Sequence, residues 1–368
     1  MRSFRTSAVL SCLALGLGVA ACGGEEEGGG GAAGGGKPTE ELEGTLAGAG
    51  SSAQDAAMQA WIVGFQDTNP GVTVSYDPVG SGGGREQFVA GGTAFAGSDA
   101  ALEEEELTGA QERCGGPDNL VEYPGYISPI AIAYNLPGVE QLQLSPETLA
   151  SIFKQDITNW NDPAIAQDNP EAQLPDLRIT PVNRSDESGT TENFVEYMSE
   201  VTPDIWTFEV SGDWPVEGGE AADGTSGVVD AIEAGEGAIG YADSSQVGEL
   251  GVATIGVGEE FVAPSPEAAA RIVSVSEQVE GGGKYTFAYD LQRDTTESGT
   301  YPIVLVSYEL ACTQYEDPNM AALVKGFESY ILSPEGQQAA AENAGGAPLS
   351  DELRQTFQPA VDAIGGAG

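Results

Sequence analysis

The segment that decides the fold is residues 182–194, Val182-Asn183-Arg184-Ser185-Asp186-Glu187-Ser188-Gly189-Thr190-Thr191-Glu192-Asn193-Phe194. The pattern predicts a strand end, a polar turn and the start of a helix that runs to Met198. The guanidinium of Arg184 offers a planar fork of donors that matches a tetrahedral oxyanion. Residues 188–190 stand at the predicted helix start, where backbone N–H groups and hydroxyls can point at the same anion. The alternative is an ordinary Ser/Thr-capped surface helix with a nearby arginine.

The composition excludes several classes of function. A length of 368 residues favours two domains over one. Lys and Arg number 13 against 58 Asp and Glu, for a formal charge of -45, which argues against binding nucleic acid through a broad basic surface. The chain has no histidine, so His-based nucleophile pairs and His-ligated zinc are excluded. The sequence shows no metal-ligand cluster with recognisable spacing, and we expect no metal and no cofactor.

The N-terminus has the pattern of an export signal over residues 1–21, with a basic start, a short apolar run and small residues at its end. The segment Val19-Ala20-Ala21-Cys22 resembles a bacterial lipobox, in which the cysteine receives lipid. The alternative is a plain secretory signal with a chance cysteine. Residues 22–41 are rich in Gly and Glu, with almost nothing to bury, and predict a flexible linker. We therefore expect a lipoprotein that Cys22 anchors to the outer face of the cell membrane.

The cysteine count leaves two residues for a disulfide. Cys12 lies in the signal and Cys22 at the lipid site, which leaves Cys114 and Cys312. In an oxidising compartment two remaining cysteines usually pair. Such a bond would place the early and late parts of the chain in one domain. The alternative is two separate buried thiols.

Strands alternate with helices after the linker. A strand at residues 42–46 leads through a Gly- and Ser-rich turn to a helix from Ala53, and a strand at residues 72–76 leads through a second such turn, 80–83, to another helix. These turns can hold an anion but lack the Gly-Lys-Ser/Thr of a nucleotide P-loop. A third strand ends at Asp99, the position at which ligands of open α/β sheets bind. Asp99 could instead cap the next helix.

Two apolar strands, 126–135 and 303–310, are long enough to carry the chain from one domain to another. Residues 293–300 repeat the Arg and Ser-Gly-Thr order of the opening segment. Tyr301-Pro302 and a strand follow them at once, so we expect a turn there, not a helix start. The alternation of strands and helices predicts an α/β fold.

Six spaced motifs stand in this order: Gly48-Ala49-Gly50-Ser51-Ser52, Gly80-Ser81-Gly82-Gly83, Ala96-Gly97-Ser98-Asp99, Ile157-Thr158-Asn159-Trp160, Arg184-Ser185-Asp186-Glu187-Ser188-Gly189-Thr190 and Gly237-Ala238-Ile239-Gly240-Tyr241. Together they resemble the phosphate-binding protein of the phosphate-specific ABC transporter (PstS type) over residues 42–349. The resemblance implies a type II periplasmic-binding-protein fold, in which two α/β domains are joined by two hinge strands with the ligand in the cleft. We expect domain I at 42–126 with 302–368, and domain II at 127–301.

The resemblance also implies the phosphate ligands, which are Ser52, the N–H of Ala53, Ser81, Asp99, Arg184, Ser188, Gly189 and Thr190. Asp99 would accept the phosphate's own proton, which sulfate lacks near neutrality. Asp186 would hold the guanidinium of Arg184 in place. The chain departs from the family at Ser52-Ala53, where Thr and an aromatic residue are usual, which leaves open the packing that shields the anion. We expect Arg85 to be a supporting or surface residue.

The sequence therefore predicts a monomeric solute-binding protein that captures inorganic phosphate and delivers it to a membrane permease. One alternative is a binder of sulfate or molybdate, for which a carboxylate acceptor at Asp99 has no use. A phosphate sensor without a transport partner is another. A phosphatase is disfavoured because the chain has no histidine for acid/base work.

Overall fold

The computed structural model describes residues 41–102 and 104–366. The predicted signal peptide, the lipidation at Cys22 and nearly all of the linker lie outside the described residues. Among the described residues, no helix combines the length and the apolar character that crossing a membrane requires.

The strands, in chain order, are β1 (Glu43–Gly50), β2 (Gly71–Asp77), β3 (Phe95–Ser98), β4 (Leu120–Tyr134), β5 (Gln143–Leu144), β6 (Thr180–Arg184), β7 (Glu220–Ala222), β8 (Ala238–Asp243), β9 (Gly251–Val252), β10 (Thr254–Val257), β11 (Glu260–Val262), β12 (Glu277–Gln278), β13 (Tyr285–Thr286), β14 (Tyr289–Asp290) and β15 (Val304–Cys312). The helices are α1 (Asp55–Thr68), α2 (Ser81–Val89), α3 (Glu104–Cys114), α4 (Pro146–Phe153), α5 (Pro163–Asp168), α6 (Gly189–Val201), α7 (Gly224–Ala234), α8 (Pro266–Val275), α9 (Pro318–Leu332), α10 (Pro334–Ala344) and α11 (Asp351–Ala363).

One large sheet organises the chain, in the order β2-β1-β3-β15-β4-β8-β6-β7. We call β2, β1 and β3 with their helices the first half, and β8, β6 and β7 with theirs the second half. Strand β4 joins them, because its residues up to Pro129 pair with β15 and those from Ile130 pair with β8. The two long strands predicted as crossings are therefore the central neighbours of the sheet. The predicted domain boundaries at 126/127 and 301/302 stay a prediction.

Parallel pairing fixes where the strands end. Strand β1 runs parallel to β2 and β3, and β6 runs parallel to β7 and β8. The carboxyl ends of parallel strands meet at one edge of a sheet, so the turns that follow them come together. The predicted α/β class is confirmed.

A disulfide joins Cys114 at the end of α3 to Cys312 at the end of β15. The predicted pairing is confirmed, and the alternative of two separate thiols is wrong. The bond ties the first half to one of the two central strands.

Aromatic packing fixes α6 against the sheet in the second half. Phe194 on α6 has its ring centroid 4.7 Å from that of Tyr241 on β8, and both side chains are buried. Burial of a phenylalanine stabilises the fold by about 2–3 kcal/mol. The hydroxyl of Tyr241 also accepts from the N–H of Arg184 at 3.2 Å and lies 2.7 Å from the hydroxyl of Thr191. The core therefore fixes both the strand end and the helix start of the opening segment.

The predicted start of the first helix at Ala53 is wrong by two residues, because α1 begins at Asp55. The hydroxyl of Ser51 accepts from the N–H groups of Ala53 and Gln54, both at 3.1 Å. The first backbone bond of α1 runs from the N–H of Met58 to the carbonyl of Gln54, so the Ser51 turn precedes the helix. Ser52 therefore lies in an irregular turn ahead of the helix.

Candidate anion-binding site

The predicted ligand residues come together where four strands end. Ser52 follows β1, Ser81 begins α2 after β2, and Asp99 follows β3. Arg184 ends β6 and residues 188–190 begin α6. Every side chain in this set is at most 7% exposed. We call this set of residues the anion site.

Two glycines let the halves approach closely. Gly189 has no side chain, and a Cβ there would lie 2.7 Å from the hydroxyl oxygen of Ser81 and 2.8 Å from the Cβ of Asp99. Gly80 has a φ of +91° and a Cβ there would lie 2.5 Å from Oδ2 of Asp186. Both positions need glycine because any side chain would separate the two halves.

Arg184 is held by a carboxylate on its own turn. Its Nε donates to Oδ1 of Asp186 at 2.7 Å, and its Nη2 donates to Oδ2. Burial alone would raise the pKa of Asp186, but the hydrogen bonds and charge of Arg184 outweigh it and hold that pKa below its ordinary value. Asp186 is therefore held in its ionised form beside the guanidinium of Arg184.

Three serine hydroxyls at the site each accept a backbone N–H. Ser52 accepts from Thr225, Ser81 from Asp99 and Ser188 from Thr191, at 3.1, 3.1 and 3.2 Å. A hydroxyl has one hydrogen to donate and two lone pairs to accept with. The hydroxyl hydrogens of Ser81 and Ser188 are therefore available as donors, while that of Ser52 can also be donated to the hydroxyl of Thr225, 3.1 Å away. Hydroxyls held in this way can act as hydrogen-bond donors.

Asp99 is a buried acceptor. Its Oδ1 accepts from the hydroxyl of Ser307 at 2.7 Å and its Oδ2 from that of Thr190 at 3.0 Å. Its backbone carbonyl accepts from the side-chain amide of Asn193 at 2.7 Å. The alternative role of Asp99 as a helix cap is wrong, because α3 begins only at Glu104 and the carboxylate faces the second half.

The N–H of Ala53 has another partner in this structure, since it donates to Ser51 at 3.1 Å. Its assignment to the anion stays a prediction.

Sequence reasoning missed three side chains that contact this set. The hydroxyl of Thr225 at the start of α7 lies 3.1 Å from that of Ser52 and 3.5 Å from Nη1 of Arg184. The side-chain amide of Gln246 donates to the carbonyls of Ser52 and Ala53 at 3.0 and 2.9 Å. Ser307 was detectable as a polar residue in the apolar run of β15, but Thr225 and Gln246 carried no local signal.

Arg85 supports the site without contacting the predicted ligands. It is 4% exposed, pairs with Glu106 at 2.8 Å in the first half and with Glu187 at 3.2 Å in the second. Its Nη1 donates to the hydroxyl of Ser98 at 3.1 Å. Of the two roles predicted for Arg85, the structure shows the supporting one.

The repeated Arg and Ser-Gly-Thr segment at 293–300 contains no helix, as expected. Its arginine is nevertheless buried and donates to Glu196 and Asn193 on α6. It therefore braces the helix that begins at the anion site.

Two buried carboxyls behind the first half bear on the charge near the site. Burial raises the pKa of Glu309 well above its ordinary value, and that of Glu328 to about 8. Burial therefore favours the neutral form of both carboxyls, which lowers the negative charge that Glu309 places near Asp99. Among the residues that the structure describes, no group of three or more His, Cys, Asp or Glu side chains is placed to hold a metal ion.

The topology and the donor set define a class, the periplasmic-type solute-binding proteins with the type II fold. A family model described as a PBP superfamily domain matches residues 35–335, so the chain belongs to this superfamily. Within it, the chain belongs to the PstS family of phosphate-binding proteins. It is 36% identical to the phosphate-binding protein PstS3 of Mycobacterium bovis, over 99% of this chain and 100% of that protein. It is 32% identical to the PstS of Pasteurella multocida, over 85% of this chain and 89% of that protein.

Solved structures show the same fold. A high-affinity periplasmic phosphate-binding protein (PfluDING), solved with bound phosphate, superposes with a TM-score of 0.71 at 22% identity, over 86% of this chain and 93% of that one. A phosphate-binding protein from Stenotrophomonas maltophilia gives a TM-score of 0.67 at 20% identity, over 86% of this chain and 94% of that one. The predicted fold class and family are confirmed.

Proposed function

We propose that this protein binds hydrogen phosphate between its two halves. The observation that carries the proposal is the set of three serines, 52, 81 and 188, whose oxygens each accept a backbone N–H. The hydroxyls of these serines, the guanidinium of Arg184 and the start of α6 together form a set of donors that a buried dianion requires. The phosphate names of its relatives agree with this chemistry.

Asp99 gives the proposed site its selectivity. Hydrogen phosphate carries a proton that can be donated to the carboxylate, whereas sulfate near neutrality would meet it with unpaired negative charge. Such a clash costs several kcal/mol. The site therefore favours hydrogen phosphate over sulfate and molybdate.

We further infer the physiological setting. The protein acts outside the cytoplasm as a monomer, is anchored by lipid on Cys22 and delivers phosphate to the permease of an ABC transporter. The names of its relatives as Pst proteins support the transport role over that of a sensor without a partner. Binding without catalysis agrees with a chain that has no histidine. Phosphate release from a generic monoester would contradict that part of the proposal.

Titration calorimetry of the purified protein with phosphate and with sulfate tests the binding proposal. We expect tight binding of phosphate and no measurable heat from sulfate. The variant Asp99→Asn should lose phosphate affinity by 100-fold or more, on the order of 3 kcal/mol, and gain affinity for sulfate. The matched control is Asp77→Asn, an exposed aspartate at the end of β2. Equal affinity of the natural protein for both anions would refute the selectivity assigned to Asp99.

A further inference from the structure

The turn at Ser52-Ala53 is held from the opposite half of the protein. Ser52 accepts from the N–H of Thr225 at 3.1 Å and lies 3.1 Å from its hydroxyl. The amide nitrogen of Gln246 donates to the carbonyls of both turn residues. Thr225 begins α7, and Gln246 follows β8, so both belong to the second half.

Thr225 also contacts the arginine of the site. Its hydroxyl lies 3.5 Å from Nη1 of Arg184, and its side chain is 1% exposed. Thr225 thus lies between Ser52 of the first half and Arg184 of the second. The N–H of the neighbouring Gly224 donates to Oδ1 of Asp186 at 3.0 Å, so the start of α7 also fixes the carboxylate that holds Arg184.

Gln246 contacts the carbonyl oxygens of the same turn. The carbonyl oxygens of Ser52 and Ala53 are negative ends of peptide dipoles, and they are unfavourable near a bound anion unless they are paired. A side-chain amide nitrogen has two hydrogens. Gln246 uses them on the two carbonyls, at 3.0 and 2.9 Å.

These contacts bear on the position at which the chain departs from its family. The small Ala53 stands where an aromatic residue is usual, yet it is fully buried. The side chain of Gln246 covers the carbonyl side of this turn.

We propose that Thr225 and Gln246 are positioning residues for phosphate, which orient the Ser52 turn only when the two halves meet. Thr225 contacts the hydroxyl oxygen of Ser52 through its own N–H and hydroxyl, so that the hydroxyl hydrogen of Ser52 points at the anion. Gln246 donates to the carbonyls of Ser52 and Ala53. This inference rests on the proposed phosphate site and extends it to two residues outside the predicted ligand set.

Three variants test the inference by calorimetric titration with inorganic phosphate. Thr225→Val removes the hydroxyl at constant shape and should lower affinity about 10-fold, the effect of losing one or two hydrogen bonds. Thr225→Ser restores the hydroxyl and should bind within about 2-fold of the natural protein. Gln246→Glu replaces the donor with an acceptor facing two carbonyls and should lower affinity at least about 10-fold, through faster phosphate release in stopped-flow measurements.

The matched control is Thr93→Val, because the hydroxyl of this buried threonine has no hydrogen-bond partner. It should bind phosphate normally. Urea unfolding of each unliganded variant shows whether the fold is intact. Natural affinity in Thr225→Val, or equal loss in Thr225→Val and Thr225→Ser, would overturn the inference while the proposed function stands. A natural protein that binds no phosphate would overturn both.

Discussion

Glu122 provides a test of how burial controls the pH dependence of stability. This residue of β4 is 1% exposed and accepts from the N–H of Leu102 at 2.7 Å. Burial raises its pKa to about 7 from an ordinary 4.5, against the opposing effects of that hydrogen bond and of Arg85. A difference of this size corresponds to about 3 kcal/mol of folding free energy.

The direction of the effect follows from which state holds the proton. Between pH 4.5 and about 7 the unfolded chain releases the proton of Glu122, while the folded protein keeps it. The free energy of unfolding therefore falls as the pH rises through this window and levels off above about 7. The variant Glu122→Gln keeps the shape and the acceptor for Leu102 but cannot ionise. As the pH rises from about 4.5 to 8, the free energy of unfolding of this variant should fall by about 3 kcal/mol less than that of the natural protein.

Urea unfolding, followed by circular dichroism at several pH values with the disulfide intact, measures this difference. Other buried carboxyls, such as Asp243, contribute equally to both proteins and cancel in the comparison. The exposed Glu86→Gln is the matched control and should follow the natural protein at every pH. A difference between Glu122→Gln and the natural protein that does not vary with pH would refute this account of burial.

Three further changes probe the supports of the site and of the fold. Asp186→Asn removes the charge that holds Arg184, so phosphate affinity should fall about 10-fold or more by calorimetry; unchanged affinity would show that the guanidinium needs no such support. Arg85→Met removes a buried arginine that pairs with the half-exposed Glu187 of the second half and should weaken phosphate binding about 10-fold, whereas Arg354→Met, at an exposed pair, should not; equal effects would contradict a specific role. The double variant Cys114→Ser and Cys312→Ser should lose about 4 kcal/mol of unfolding free energy and keep its phosphate affinity; a natural denaturation midpoint would contradict the stabilising role of the disulfide.

Local patterns predicted the elements that carry the opening segment. The strand that delivers Arg184 and the helix capped by Ser188 were predicted from periodicity and capping residues, and both are present as β6 and α6. The start of α1 was placed two residues early, because the carbonyls of Ser52 and Ala53 accept from the side chain of Gln246 and the first helical bond is made by the carbonyl of Gln54. A contact from so distant a residue cannot be read from the residue types near the helix start.

Contacts between distant segments were the harder part of the site. Thr225 lies 173 residues from Ser52 in the chain, and Gln246 lies 194. A threonine at a helix start and a glutamine after a strand are common, so neither marks a site until the fold brings it there. Arg293 shows the same limit: its segment was predicted as a turn, which the structure shows, while its contacts with α6 depend on tertiary packing.

The bond between Cys114 and Cys312 closes a covalent ring that contains the whole of β6, α6, α7 and β8. A protease that cuts the backbone once inside this ring cannot separate the two pieces, since the disulfide still links them. Such a nicked molecule keeps its mass apart from one added water, and it yields two fragments only after reduction. A cut outside the ring leaves a fragment that no covalent bond holds. The half that carries Arg184 therefore stays covalently attached to the half that carries Asp99 after a first proteolytic event inside the ring.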